Sequence, residues 1–276
     1  MKILLTGAKG FVGARIADAM EVVASPSLRD FDEKDVKRLI DSVQPDAIIH
    51  TAAISDIPTC AKLPEESYKA NVTLPIWLAK AAPSAKKVFF SSDQVYTGSK
   101  PDRPFKEEDI QGIPTNLYAR EKLEMENSVL NIDPNAVMLR ATWMYDMPMI
   151  GIENRGNFLM NLLKAALHGS PMSFVKNEMR GVTYVREVAE VTKKALTLPG
   201  GAYNFGSENT LTMLETAKVL CDELGLKMEL SEREETVDRE DLWMDISKLR
   251  ANGADFGSTV EGIQKCIADY RLKEVL

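Results

Sequence analysis

Residues 2–13 read KILLTGAKGFVG, and this stretch decides the fold. Its apolar start at residues 2–5 predicts a short buried strand, and apolar residues at helical spacing over 10–20 predict a helix. Gly7, Gly10 and Gly13 occupy the turn between the two elements. A strand that passes into a helix through glycines at this spacing is typical of a dinucleotide-binding βαβ unit.

Each glycine of this loop has a physical role. Gly7 permits a tight turn, Gly10 lets the backbone approach a pyrophosphate, and Gly13 lets the helix pack closely on the strand. The start of the helix also offers unpaired N–H groups and a partial positive charge to an anion. A tight turn without a ligand is the alternative. The residues that we expect to hold the pyrophosphate are Thr6, Gly7, Gly10, Phe11, Val12 and Gly13.

The first 140 residues alternate short apolar runs with helical patterns, which predicts a parallel sheet covered by helices on both faces. Further strands are predicted at residues 21–24, 47–50, 87–91 and 136–140. Helices are predicted at residues 33–43, 65–82 and 116–130. After Thr142, loops marked by Pro and Gly break the alternation, and helices are predicted at residues 157–167, 187–196 and 212–224.

These patterns predict an α/β protein with a Rossmann-type doubly wound parallel sheet and a smaller C-terminal substrate lobe. We assign residues 1–145 to the NAD(P)-binding domain and residues 146–276 to a mainly helical substrate-binding lobe. Part of the second segment could also contribute to the Rossmann-type sheet. In open sheets of this kind, ligands bind beyond the carboxyl ends of the strands.

Composition excludes several classes of protein. The formal net charge is −7, whereas a general nucleic-acid binder needs a basic surface. No apolar run approaches the roughly 20 residues that span a bilayer, and the first strand starts too early to leave room for a signal peptide. The cysteines Cys60, Cys221 and Cys266 are far apart, which argues against a zinc site or a disulfide framework. We therefore expect a cytoplasmic protein without a bound metal.

The choice between NAD and NADP depends on the end of the second strand. An acidic residue there would bind the ribose of NAD, and a basic one would favour the 2′-phosphate of NADP. Residues 23–27 read VASPS and contain no acid. We expect Asp30 and Phe31 to contact the adenine side, while Arg29 or the serines could accept a phosphate. Both cofactors stay open, and NADPH is favoured.

A second motif indicates carbonyl chemistry. Tyr118 and Lys122 lie four residues apart on a predicted helix, hence on one face. An ammonium at Lys122 is expected to lower the pKa of Tyr118, so that Tyr118 donates a proton to the alkoxide formed when hydride reaches a carbonyl. Lys122 could also bind the nicotinamide ribose. Ser91 and Ser92, at the end of a predicted strand, could polarise the same carbonyl.

The same spacing occurs a second time, from Tyr96 to Lys100. Gly98 lies within that stretch and Pro101 follows it, so we expect a loop, where four-residue spacing does not align side chains. Tyr118 is therefore the better candidate.

Together these motifs resemble the extended short-chain dehydrogenase/reductase family, and within it the dTDP-4-dehydrorhamnose reductases. The likeness also covers residues 45–53 (PDAIIHTAA), 90–98 (FSSDQVYTG), 140–143 (RATW) and 156–158 (GNF), and residues 180–189 (RGVTYVREVA) resemble a pattern of wider relatives. It implies a sheet of order 3-2-1-4-5-6, a nucleotide-sugar cleft above it and hydride delivery to a C4 ketone. Residues 203–206 resemble a late strand of the substrate lobe, and a homodimer is left open.

The resemblance also implies residue roles. It makes Ser92 the carbonyl-binding hydroxyl, sets Ala52 and Ala53 against the cofactor, and has Asn71 support the active-site helix and its proton-relay water. The residues that it assigns to the nucleotide sugar are Asp93, Trp143, Asn157 and Arg180, with Arg180 at the diphosphate. Residues 53–58 and 177–183 depart from the reductase pattern, which leaves the sugar and the base open.

Three further features of the sequence raise other functions. His50 and His168 have no Ser or Cys at a recognisable spacing, so a hydrolase triad is not expected. The acidic run at 231–241 could hold a divalent cation, although a solvated segment is favoured. Methionines at 144, 147 and 149 could line a pocket.

The leading expectation is an NAD(P)H-dependent reductase of a 4-keto nucleotide sugar. A nucleotide-sugar epimerase with tightly bound NAD is one alternative, and a non-catalytic NADP-binding regulatory subunit is another. A dehydratase is disfavoured, because Asp93-Gln94 supplies a single acid after the serine.

Overall fold

The computed structural model describes residues 1–153, 156–234 and 241–275. Its centre is a parallel six-stranded sheet. In the order in which they lie side by side, its strands are β2 (Val23–Ala24), β1 (Ile3–Thr6), β3 (Ala47–His50), β4 (Lys86–Ser92), β5 (Val137–Ala141) and β9 (Gly201–Phe205). The predicted α/β fold with a doubly wound parallel sheet is confirmed.

Helices cover both faces of this sheet. In the first half of the chain they are α1 (Phe11–Ala19), α2 (Glu33–Val43), α3 (Ile57–Lys62), α4 (Pro64–Tyr68), α5 (Leu74–Ala81) and α6 (Leu117–Ile132). The predicted helix over 65–82 is interrupted by a π-helical turn at Lys69–Thr73. The bounds of α2 match the prediction, because Asp32 and Asp35 form a reciprocal capping box at its start.

Alternating side chains explain why the strands read as continuous apolar runs. Leu5 and Ile49 face one core, which is closed by α1 and by α8 (Val185–Ala195). Leu4, Ile48 and Phe89 face the opposite core, which is closed by α2, α5 and α6. Since successive residues of a strand point to opposite faces, both must be apolar when both faces are covered.

The strand order differs from the one that the family resemblance implied. Numbered along the chain, the sheet strands run 2-1-3-4-5-6 rather than 3-2-1-4-5-6. After β2 only the loop at 25–32 precedes α2, and the chain then enters β3, which pairs with β1. Within residues 1–153, no strand pairs with the outer side of β2. The order reverses between β1 and β3, which is where such sheets bind ligands.

The second half of the chain adds a smaller layer with its own core. It contains two small parallel pairs of strands, formed by β6 (Trp143–Tyr145) with β8 (Val182–Tyr184) and by β7 (Met172–Val175) with β10 (Leu230–Arg233). The remaining helices are α7 (Phe158–Leu167), α9 (Met213–Leu224), α10 (Ser247–Ala251), α11 (Thr259–Asp269) and α12 (Leu272–Val275). Within the described ranges, none of the helices combines the length and the apolar character required to cross a bilayer.

Residues 203–206 do not belong to a strand of the substrate lobe, as the resemblance had implied. Tyr203 and Phe205 lie in β9, which pairs with β5 as the last strand of the main sheet. The cause is burial: both side chains pack into the same core as α8, on the face of the sheet that α1 covers. Part of the second half thus returns to the main sheet, while the division of the chain after residue 145 stays a prediction.

Candidate active site

A cleft of about 570 Å³ opens at the carboxyl ends of the sheet strands, within the size range of small-molecule sites. It brings together residues from seven predicted motifs. The predicted site residues in its wall are Gly10, Phe11, Val12, Gly13, Ala53, Ser92, Asp93, Tyr118, Lys122, Trp143, Asn157 and Arg180. The predicted residues outside its wall are Thr6, Gly7, Asp30, Phe31, Ala52 and Asn71.

The glycine loop forms a tight cradle at the start of α1. Gly7 has φ +78°, and a Cβ there would lie 2.6 Å from the nitrogen of Ala52. A Cβ on Gly13 would overlap the carbonyl oxygen of Gly7. Gly10 caps α1 without a side-chain hydrogen bond, and Phe11, Val12 and Gly13 in the first turn of the helix line the cleft. Backbone N–H donors and a close approach are what a pyrophosphate needs, so the loop fits a dinucleotide.

The other predicted cofactor residues lie around this cradle. Thr6 is buried, its hydroxyl contacts His50 Nδ1 at 2.6 Å, and its carbonyl accepts hydrogen bonds from Thr51. Asp30 is exposed and Phe31 half-buried in the loop after β2. Their position beyond the carboxyl end of β2 is compatible with the adenine side, and their contact with it stays a prediction.

Tyr118 is placed by the cap of its helix. Asn116 Oδ1 accepts a hydrogen bond from Ala119 N at 2.9 Å, and Asn116 Nδ2 donates to Gln94 Oε1 at 3.1 Å. These contacts fix the start of α6 against the end of β4. Lys122 lies one turn further on, with Nζ 5.8 Å from the centre of the Tyr118 ring. The two side chains thus share one face, as their spacing predicted.

The pKa of Tyr118 shifts in the direction opposite to the one expected. Burial raises it above the ordinary value of a tyrosine, and only the hydrogen bond with Ser92 opposes that rise. Burial also lowers the pKa of Lys122 to about 8, although Glu126 and Glu121 act against that shift. Removal from water thus dominates the pKa of both groups. A tyrosine that stays protonated is suited to donate a proton.

Ser92 belongs to a chain of polar contacts across the cleft. Its hydroxyl donates to Asp93 Oδ1 at 3.0 Å, and Arg180 Nη2 donates to Asp93 Oδ2 at 3.0 Å. The guanidinium of Arg180 lies over the Trp143 ring, 5.4 Å from its centre. Its Nε is buried, and it has no hydrogen-bond partner among the described residues. Ser91 also lines the cleft, but Ser92 is the serine that contacts Tyr118.

Asn71 lies behind α6 rather than in the cleft wall. It occupies the π-helical turn, a feature that often marks functional sites. Its Oδ1 accepts from Ile54 N at 3.0 Å, while Nδ2 donates to Ile54 O at 2.9 Å and to Glu121 Oε2 at 2.8 Å. Glu121 lies between Tyr118 and Lys122 in the sequence. Asn71 therefore joins the segment after β3 to α6, which agrees with a supporting role.

Motif reasoning missed part of the cleft wall. The missed residues include Lys9, Thr51, Ser55, Ile57, Gln94, Thr142, Glu153 and Gly156. Thr51 and Thr142 directly follow β3 and β5, so the rule that ligands lie beyond the carboxyl ends of strands could have found them. Glu153 has no comparable signal in its neighbourhood. Met144 lines the cleft as expected, whereas Met147 packs into the core of the second half.

A hydrolase triad and a metal site are the two other classes of site that the sequence raised. Burial lowers the pKa of His50 to about 3, so this side chain is neutral and hydrogen-bonded to Thr6 instead of serving a nucleophile. Wherever the structure describes the chain, no three His, Cys, Asp or Glu side chains come close enough together to hold a metal ion. Most of the acidic run at 231–241 lies outside the described residues, because residues 235–240 are not among them.

Comparison with known proteins identifies the family. A family model described as "RmlD substrate binding domain" matches residues 1–242. The chain belongs to the RmlD substrate-binding domain family. The expected likeness to dTDP-4-dehydrorhamnose reductases is thereby confirmed.

Curated relatives in and around the RmlD family cover most of the chain. It is 25% identical to the spore coat polysaccharide biosynthesis protein SpsK of Bacillus subtilis, over 82% of this chain and 80% of that protein. It is 28% identical to a dTDP-4-dehydrorhamnose reductase of Aggregatibacter actinomycetemcomitans, over 80% of this chain and 79% of that protein. It is also 29% identical to methionine adenosyltransferase 2 subunit beta of Xenopus laevis, over 82% and 72%.

Solved structures agree on the fold of this RmlD-family chain. The dTDP-4-dehydrorhamnose reductase of Bacillus anthracis in complex with NADP superposes with a TM-score of 0.86 at 20% identity, over 98% of this chain and 99% of that one. The UDP-glucose 4-epimerase of Thermotoga maritima with UDP-glucose gives 0.81 at 20% identity, over the whole of both chains. At such identities the likeness shows the fold.

Proposed function

We propose that this protein is an NAD(P)H-dependent reductase of a 4-keto nucleotide sugar. The observation that carries the proposal is that Ser92, Tyr118 and Lys122 meet in the same cleft as the glycine loop. The family assignment supports the same reaction class, because curated relatives include dTDP-4-dehydrorhamnose reductases.

The chain's own residues account for each proton and charge in this reaction. When bound, the reduced nicotinamide supplies the hydride that forms the new C–H bond at the ketone carbon. The Ser92 hydroxyl turns its proton from Asp93 to the ketone oxygen and polarises the carbonyl. Tyr118, held protonated by burial, transfers its proton to that oxygen as the alkoxide forms. Lys122, whose Nζ donates to the Phe90 carbonyl at 2.8 Å, supplies the positive charge that stabilises the resulting phenolate.

Arg180 and Asp93 form the sugar-nucleotide side of the proposal. Arg180 presents a planar guanidinium with a buried Nε that no described residue satisfies. A diphosphate suits such a group, because it accepts paired hydrogen bonds. Trp143 and Asn157 complete this side of the cleft.

NADPH is the favoured cofactor within this proposal. Lys9 of the glycine loop lines the cleft, and Ser25, Ser27 and Arg29 follow β2 without an intervening acid. A 2′-phosphate needs cations and hydroxyl donors at this position. Structures of relatives include complexes with NADP and with NADPH.

Turnover of NADPH tests the proposal. The purified protein is expected to oxidise NADPH only when a keto-sugar nucleotide such as dTDP-4-dehydrorhamnose is added. Equal amounts of NADPH and of the keto sugar should be consumed. NAD that copurifies with the protein, together with interconversion of sugars without net NADPH loss, would instead indicate an epimerase.

A second candidate is a non-catalytic NADP-binding subunit. The similarity to methionine adenosyltransferase 2 subunit beta favours it. The Ser92, Tyr118 and Lys122 set argues for catalysis instead. NADP binding without turnover of any keto sugar, together with stable copurification of another enzyme, would support the subunit role.

A further inference from the structure

A buried guanidinium joins the glycine-loop helix to the second half of the chain. Arg15 lies on α1, two residues after Gly13, and is only 4% exposed. Its Nε donates to Asp146 Oδ2 at 2.9 Å, and its Nη2 donates to the Met147 carbonyl at 2.9 Å. Its Nη1 donates to the Phe11 carbonyl at 3.1 Å, and the guanidinium stacks on the Phe11 ring. One side chain therefore holds both the cofactor loop and the residues that follow β6.

Asp146 extends this connection to the far side of the cleft. Its side chain is fully buried, and Oδ1 accepts a hydrogen bond from Met147 N at 2.8 Å. Its carbonyl accepts from Asn157 Nδ2 at 2.8 Å. Asn157 lines the cleft and caps α7, since its Oδ1 accepts from Met160 N at 3.0 Å. Arg186, whose Nε lies 3.9 Å from Asp146 Oδ2, is the other cation near this carboxylate.

Stability alone is a weak reason for such a pair. Replacing a buried ion pair by apolar groups of similar size is often neutral or stabilising, because desolvation of the charges offsets their attraction. The pair does, however, form a direct line of contacts from Phe11 through Arg15 and Asp146 to Asn157. Both ends of that line are in the cleft wall.

We propose that the pair of Arg15 and Asp146 couples occupancy of the glycine loop to the position of Asn157 and α7. A dinucleotide that holds Phe11 and the start of α1 restrains Arg15, which restrains Asp146 and the segment that it anchors. By thermodynamic reciprocity, a ligand held at Asn157 tightens binding at the glycine loop by the same factor. The proposed function enters only in naming the Asn157 end as the sugar end.

The test uses two matched double variants. Arg15→Met with Asp146→Asn removes both charges together, so neither is left buried and unpaired. Lys87→Met with Asp133→Asn is the control, because Lys87 is equally buried and donates to Asp133 Oδ2 at 2.7 Å and to the Ala85 carbonyl at 3.0 Å. That pair lies at the opposite end of the sheet from the cleft.

Amide hydrogen exchange with and without NADP⁺ is the readout. In the native protein and in the control, NADP⁺ is expected to slow exchange both in α1 and in Phe158–Leu167, the latter by at least about five-fold. In the Arg15→Met/Asp146→Asn variant, NADP⁺ still slows exchange in α1. In α7, the ratio of the exchange rates without and with NADP⁺ falls to about one. Equal protection of α7 in all three proteins, or none in the native protein, would overturn the proposal.

A second variant guards against misfolding. Arg15→Lys keeps the charge, but a single ammonium lacks the fork that contacts Asp146 and Met147 together. With NADP⁺, this variant is expected to show weaker protection of α7 than the native protein and unchanged protection of α1. Protection of α7 equal to that in the native protein would count against the proposal. Because NADP⁺ is the only ligand used, failure of the reductase assay and failure of the coupling are distinguishable.

Discussion

The proposed cofactor side and the proposed sugar side of the cleft are built in different ways. On the cofactor side, Gly10 to Gly13 are consecutive residues whose geometry follows from one strand, one turn and one helix. On the sugar side, Asp93, Trp143, Asn157 and Arg180 come from four distant segments. The first arrangement depends on local backbone geometry, and the second depends on how the second half of the chain packs. Substitutions on the two sides should therefore have separable effects.

The largest expected effect is at the point where the two sides meet. Tyr118→Phe removes the proton donor and is expected to lower kcat by about 10²- to 10⁴-fold, the usual contribution of general acid catalysis. NADP⁺ affinity should stay unchanged, because the ring that packs in the cleft is retained. Steady-state kinetics and a cofactor titration check both statements.

Tyr96→Phe is the matched control for this substitution. Tyr96 belongs to the other Tyr-x-x-x-Lys stretch, and its buried hydroxyl contacts Asn204 and Arg140 instead of the cleft. The Tyr96→Phe variant should have a lower free energy of unfolding but an unchanged kcat. Near-normal turnover of Tyr118→Phe would refute the assigned role.

The next effect isolates the cofactor side. A Cβ on Gly13 would overlap the backbone of Gly7, so Gly13→Ala forces α1 away from β1. We expect a loss of about 1–3 kcal/mol in the free energy of unfolding and a weaker NADP⁺ complex. Denaturant unfolding and a cofactor titration measure these changes. Gly257→Ala is the control, because a Cβ there would approach only the Glu261 side chain, at 3.4 Å. Equal behaviour of the two variants would contradict the close packing of the loop.

The third prediction isolates the sugar side. Arg180→Met removes hydrogen bonds from a charged donor, worth about 1.5–3 kcal/mol, or roughly 10- to 150-fold in affinity. We expect the KM for the keto-sugar nucleotide to rise by that factor, with the KM for NADPH unchanged. Arg250→Met, which alters a half-exposed arginine in the same half of the chain that pairs with Glu208 and Asp255, should leave both constants unchanged. A rise in the KM for NADPH alone would contradict the assignment of Arg180 to the sugar side of the cleft.

The smallest effect concerns pH. The pKa of Lys122 is lowered from 10.5 to about 8, so the ammonium is present below that pH and is lost above it. If the reaction needs this charge, kcat/KM should fall about tenfold per pH unit above 8, since this ratio reports the free enzyme. Between these two pKa values the unfolded chain binds the extra proton, so this group's contribution to stability rises with pH. Thermal unfolding over the same range separates inactivation from denaturation, and a flat profile to pH 10 would contradict the assignment.

Local signals predicted the strands and helices best. The capping box of Asp32 fixes α2, and Asn116 fixes the start of α6. The strand order and the place of Tyr203 in the main sheet were not predictable in this way, because pairing with β5 depends on contacts over sixty residues apart. Family resemblance suggested both and was wrong on both.

The candidate site shows the same difference between features that local sequence patterns predict and features that depend on long-range packing. Spacing alone was enough to place Tyr118 and Lys122 on one face of α6. The reversal of the Tyr118 pKa shift was not predictable, because it follows from burial, which no local pattern of residues reports. Likewise, the contact of Arg180 with Asp93 joins residues 87 positions apart.

Transfer of deuterium from labelled cofactor tests the central claim most directly. NADPH that carries deuterium at the transferable position of the nicotinamide is incubated with the protein and dTDP-4-dehydrorhamnose, and the product sugar is examined by mass spectrometry. Reduction at this cleft predicts deuterium at C4 of the sugar in the native protein, and labelled product that forms about 10²- to 10⁴-fold more slowly with Tyr118→Phe. A sugar product that forms without the label, or NADPH oxidation that proceeds without the sugar, would contradict it.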